Sequence, residues 1–270
     1  MSDRSRNPGA SAAANAGANA GTEVAGRVAD VLLLFAGGPR SLGVSAISRE
    51  LGVSKAVVHR ILRSLVSREM LEDDPGTGRY RLGSAAVALG VSALRGSNVR
   101  DAAAPVLRRL RNETGETTTL SGLVGDERVY LDQFESPHEV RMTVEVGRRF
   151  PLHAGSSGKA ILAFLPEERR EAVLARPRAA LTARTVTGAA ELRGELAAIA
   201  AEGTAVSLGE RLPDAASVAA PLPGPDGAVH GSISVCGPLH RFTPEEIDRY
   251  RGLVRAAAAE IVRARDAALA

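Results

Sequence analysis

Between residues 46 and 68 two short amphipathic stretches flank a glycine-bounded turn, a pair that calls for a compact helical unit. Ala46 to Leu51 is closed by Gly52, and Ser54 stands where an N-cap belongs, its hydroxyl able to accept an orphan amide of the next turn. From Lys55 to Arg68 the apolar residues Val58, Ile61, Leu62 and Leu65 recur at helical spacing. Downstream, "LEDDPGTGRYRLG" sets Pro-Gly-Thr-Gly between short extended arms, the pattern of a β-hairpin. Upstream, Val24, Val28, Val31, Leu32 and Phe35 predict a further helix, stopped by Gly37, Gly38 and Pro39. Three helices and a hairpin in about 60 residues describe a winged helix-turn-helix.

If the apolar stripe faces a core, Ser54, Lys55, Ala56, Val57, His59, Arg60 and Arg63 face outward. Small residues near the helix start can approach base edges, and the cations suit phosphates. An outward Val57 would be useful against a thymine methyl. Arg79 and Arg81 on the hairpin are placed to reach the backbone or the minor groove. Charge agrees: residues 26–100 hold 11 Lys and Arg against 6 Asp and Glu, whereas residues 101–270 hold 21 against 23. A polyanion partner is therefore expected for the front domain alone. Aromatic residues are only 3%, with no Trp, which argues against stacking on single strands and leaves double-stranded DNA. A plain three-helix bundle with a solvated basic face is the bland alternative, but turn, cap, basic face and hairpin occur together.

At 270 residues the chain is long enough for two domains. Residues 1–22 are Ala, Gly, Asn and Ser without periodicity and read as a disordered tail. The winged helix-turn-helix then spans 23–83, a linker helix 84–100 with its boundary at Gly96-Ser97-Asn98, and a second domain 101–270. In that domain a helix from Asp101 to Asn112 precedes "TTTLSGLV" and "RVYLDQF", a hairpin turning at Gly125-Asp126, and Val140 to Val146 is a third strand candidate. Helices are predicted at Gly158–Leu165, Pro166–Ala175 and Ala190–Glu202, then strands "TAVSL", "SVAAPL" and "AVHGSISVCG". Thr243 caps a closing helix that starts with Pro244. The class is α+β with two domains, the second a largely antiparallel sheet flanked by helices. No apolar run reaches the ~20 residues of a membrane span, and no signal peptide is visible, so a cytoplasmic location is expected.

Several patterns that suggest catalysis fail on inspection. "GSSGKA" lacks the spacing of a phosphate loop, and Ala160 stands where the magnesium-binding hydroxyl would be. His153 near Ser156 and Ser157 has neither a nucleophile elbow nor an acid partner, and reads as a loop residue. The single cysteine, Cys236, excludes a disulfide framework and a multi-cysteine zinc site; on an apolar strand it reads as a small hydrophobe. No catalytic residue, metal or cofactor is expected. What remains is a small-molecule cavity. Gly155 to Gly158 precedes "KAILAF", whose first-turn amides would seat a carboxylate. Ser217, Ser234 and Cys236 would bring small polar groups to an apolar wall.

The stretch "ISRELGVSKAVVHRILRSLVSREMLEDDPGTGRYRLG" resembles the DNA-binding half of the IclR family of bacterial transcriptional regulators. "VGRRFPLHAGSSGKAILAFLPEE", "LTARTVT" and "VAAPLPGPDGAVHGSISVCGP" resemble its second half in order, so the likeness runs from about residue 24 to 266. The resemblance implies a linker helix that dimerises and a GAF-like effector domain. It also implies dimers or tetramers on palindromic operators. It places the effector against Met142, Phe150, Ser156, Ser157, Ser207, Ser217, Ser234 and Cys236, and implies a small organic acid or aromatic acid. An acidic residue common in the family where Ser207 stands, and a Cys where Ser217 stands, are absent, so a more hydroxyl-rich ligand, a polyol derivative, is also open. The expected function is an operator-binding regulator, a repressor, whose DNA affinity a small molecule modulates. The rival readings are an enzyme with a basic regulatory front domain and an oligomerising protein that binds an acidic partner.

Overall fold

The computed structural model describes residues 23–35, 41–95 and 98–268. Its contacts divide the chain into two compact units meeting between Ala93 and Leu94. The tail 1–22, and Gly96 and Ser97 of the expected boundary, lie outside the described residues.

In the first unit residues 23–35 form α1, and β1 is the two-residue strand Leu42–Gly43. Helices α2 (Val44–Leu51) and α3 (Lys55–Val66) follow, then β2 (Leu71–Asp74) and β3 (Arg79–Leu82). The turn between α2 and α3 closes on Gly52 at φ 64°, a left-handed cap, and Ser48 Oγ donates to the Val53 carbonyl at 2.7 Å. Val31, Phe35, Ile47, Val58, Ile61, Leu62, Leu65 and Leu71 bury one another. The antiparallel sheet runs β1-β3-β2, so the wing has a third strand, too short to leave a periodic signal. At its tip Asp74 accepts from the Gly76 amide and the Thr77 hydroxyl, bonds that hold its carboxyl below the usual range. Helix α4 (Ser84–Arg95) leaves Val87 and Leu89 exposed.

The second unit opens with α5 (Asn98–Thr114), which begins at Asn98 rather than at Asp101 and carries Pro105 within it. Strands β4 (Thr117–Val124), β5 (Glu127–Phe134) and β6 (Arg149–Pro151) precede α6 (Ser156–Leu162), α7 (Glu167–Leu174) and α8 (Ala189–Glu202). The strands β7 (Ala205–Leu208), β8 (Ala215–Pro223) and β9 (Val229–Pro238) complete the sheet, and α9 (Pro244–Ala267) closes the unit. The order is β6-β5-β4-β9-β8-β7, antiparallel throughout. Alternation sends Val218, Ala220, Leu222, Ile233 and Val235 to one face, packed with α5 and α9. Ala205 and Ala219 go to the other, with α6 and α8.

Residues 140–146 are not a strand. Their backbone is held by side chains instead of a neighbouring ladder. The Gln133 amide accepts from Val144 N at 2.8 Å and donates to Val144 O at 2.9 Å, and Thr117 Oγ1 donates to Met142 O. The third strand of that corner is β6, paired with β5.

Candidate functional site

Helix α3 exposes Lys55, Ala56, His59, Arg60 and Arg63 around its buried stripe. Among the described residues Lys55, Arg60 and Arg63 have no ion-pair partner. Ser54 is also exposed, and its Oγ accepts the Val57 amide at 3.4 Å, the expected cap. Two expectations change. Val57 is half-buried and packs against the core beside the buried stripe, rather than facing fully outward. Arg79 is drawn back by β1: its Nε donates to Ser41 Oγ at 2.8 Å and its Nη2 to the Ser41 carbonyl, while Arg81 pairs with Glu72. The wing arginines thus brace the hairpin, and α3 carries the unengaged cations.

The second unit holds a small cavity of about 20 Å³, partly open to solvent, on the α6 face of the sheet. Ser156 and Ser157 reach it from the start of α6, and Ser207 and Ser217 from β7 and β8. Ser234 and Cys236 of β9 and Met142 of the 140–146 segment complete the sequence-predicted set. Register explains the gathering: Ser217 pairs with Cys236, Ala219 with Ser234, and Ser207 with Ser217. The hydroxyls are bonded in pairs, Ser156 to Ser217 at 2.7 Å and Thr119 to Ser234 at 2.7 Å. Burial pushes the Cys236 thiol up to about 12, so it is neutral at physiological pH.

Phe150 does not line the cavity. It pairs with Arg128 across β5 and β6, meets the Tyr130 ring edge-on at 5.4 Å, and stands behind two arginines. At the start of α6 a carboxylate of the protein itself already engages the N-cap amide. Gly155 at φ 83° turns its amide to Glu210 Oε2, and Glu210 is held by the buried Lys159, which also pairs with Glu195. Close packing fixes this wall, since a Cβ at Gly158 would lie 2.6 Å from the Leu152 carbonyl oxygen. His153 is buried with Nε2 against the Ala179 carbonyl, as a loop residue should be.

Sequence reasoning missed Arg128, Arg211 and Tyr130, all in the cavity wall. Arg128 is 1% exposed. Its guanidinium lies 4.4 Å from the Tyr130 ring centroid and 5.0 Å from that of Phe150. It donates only to the neutral oxygens of Tyr130 (3.1 Å) and Ser121 (3.4 Å), and its Nε has no partner. Burial lowers its affinity for the proton, and among the described residues no carboxylate pairs with it.

A winged helix-turn-helix with an unengaged cationic face, in one chain with a unit whose sheet carries a cavity lined by arginines and serines, defines a ligand-responsive transcriptional regulator. The family model for the bacterial transcriptional regulator IclR C-terminal matches residues 91–263, and that for the IclR helix-turn-helix domain matches residues 24–75. The chain belongs to the IclR family. The glycerol operon regulatory protein of Streptomyces griseus is 38% identical over 219 residues, 81% of this chain and 86% of the relative. A crystal structure of an IclR transcriptional regulator from a Silicibacter species has a TM-score of 0.85 at 32% identity, covering 90% of this chain and 96% of that one. An IclR homolog from Microbacterium hydrocarbonoxydans, solved with 4-hydroxybenzoate, has a TM-score of 0.73 at 29% identity, covering 90% and 99%. The named relatives are transcriptional regulators, which sets aside the enzyme reading. No helix among the described residues is long and apolar enough to cross a membrane.

Proposed function

We propose that the protein is a cytoplasmic repressor, bound as a homodimer or tetramer to a palindromic operator and released by a small organic acid or acidic polyol derivative. DNA contacts are assigned to Ser54, Lys55, Ala56, His59, Arg60 and Arg63. The exposed apolar Val87 and Leu89 support pairing of copies through residues 84–100, the linker between a reader at 23–83 and a sensor at 101–270. Repression fits because it needs only occupancy of the operator, with no separate activating surface.

The observation that carries the effector reading is Arg128. A buried guanidinium without a counterion costs several kcal/mol, and an anion entering the cavity supplies what the protein withholds. The 4-hydroxybenzoate of the Microbacterium relative is such an anion, and the Streptomyces relative is named for a glycerol operon; both support the stated classes. Coupling is reciprocal, so a ligand that releases DNA binds the DNA-free form more tightly. A gel-shift titration on the protein's own upstream region, with and without small carboxylates, tests this. Loss of the shifted band with added ligand is expected; tighter binding with ligand would reverse the assignment.

A further inference from the structure

Two cations face this cavity, and the wall carries no Asp or Glu to answer them. Arg128 is buried with neutral partners only. Arg211, half-buried on the segment between β7 and β8, lies 5.0 Å from the same Phe150 centroid that Arg128 approaches at 5.0 Å. The shared ring holds the two guanidinium carbons within about 10 Å of each other. A third arginine at that ring, Arg148, already has Glu145 at 3.6 Å. Glu210, next to Arg211 in sequence, is engaged by Lys159 and the Gly155 amide. Among the described residues neither Arg128 nor Arg211 has an ion-pair partner.

We propose that the cavity is a dianion site, taking a compact ligand with two negative charges, either a dicarboxylate or a phosphate monoester. The inference rests on the effector-cavity reading and narrows it. Arg128 holds one charge: its guanidinium lies over the Tyr130 and Phe150 rings in the cavity wall, bonded only to neutral oxygens, and presents the planar fork that oxyanions accept. Arg211 answers the second charge from the more exposed side. Ser156, Ser217 and Ser234 meet the ligand's remaining polar atoms. A monoanion would satisfy one guanidinium and leave the other facing nothing.

Calorimetric titration of the full-length protein at neutral pH, with succinate, glycerol 3-phosphate, propionate and glycerol, tests the proposal. One or both dianions are expected to bind at least about tenfold tighter than propionate, with glycerol weakest. Which dianion wins identifies the headgroup. Arg211→Met is expected to bring the dianion down to the affinity of propionate, and Arg128→Met to remove binding of both. Arg128→Met is further expected to keep or raise the melting temperature without ligand, whereas an arginine needed only for the fold would lower it. If that variant does not fold, the ligand order and Arg211→Met still decide. Propionate or glycerol binding as tightly as the dianions, unaffected by Arg211→Met, would overturn the dianion site and leave the effector cavity standing. No binding by any of the four would remove both.

Discussion

At the residue scale the two sites were unequally legible. On α3 the cations could be assigned from spacing alone, because a helix buried along one stripe leaves the others in water. Arg60→Ala should weaken operator binding about uniformly across sequence variants and reduce the salt slope by about one unit, the signature of a lost phosphate contact. A gel-shift salt series checks it, and unchanged affinity and slope would remove Arg60 from the interface. Arg128 could not be found in the same way. In "ERVYLDQF" Val129 and Leu131 alternate with Arg128 and Tyr130, and an arginine alternating with aliphatic residues reads as the outward partner. The sheet is covered on both faces, so alternation alone does not say which set turns toward the cavity. Ser217 and Ser234 could be read from strand alternation and Ser156 or Ser157 from the loop before α6, Ser207 came through the family resemblance, and Arg128 and Arg211 needed coordinates.

Elements with strong punctuation were recovered to within a few residues: α2 at Gly52, α3 at Ser54 and α9 at Thr243 each carry a cap whose chemistry is local. What failed was non-local. The stretch 140–146 has a strand's composition, but its hydrogen bonds come from Gln133, Thr117 and Arg241, residues whose side chains cannot be placed from their own neighbourhood. Gln133→Leu removes both bonds to Val144 and leaves a half-buried amide and carbonyl without partners, a loss of about 1–3 kcal/mol. Faster hydrogen exchange confined to 140–146, with the sheet amides unchanged, is the expected result. Loss of protection spread over the whole unit would show that Gln133 supports the sheet instead.

For the whole molecule, the separation of a basic front from a mildly acidic remainder makes DNA affinity an ionic-strength measurement. If a dimer neutralises about 6 to 10 phosphates, operator affinity falls by roughly 10³ to 10⁵ between 50 and 200 mM salt. Fluorescence anisotropy across that range checks it; a flat response would point to an acidic protein partner in place of a duplex. The two-domain α+β plan followed from length, charge asymmetry and the order of elements. A consequence reaches past this chain to its divergence. Gly158 is pinned against the Leu152 backbone, so the start of α6, which brings Ser156 and Ser157 to the chamber, cannot shift to accept a larger residue there. New ligand preferences are then expected to arise on the strands and the segment bearing Arg211, whose side chains line the chamber.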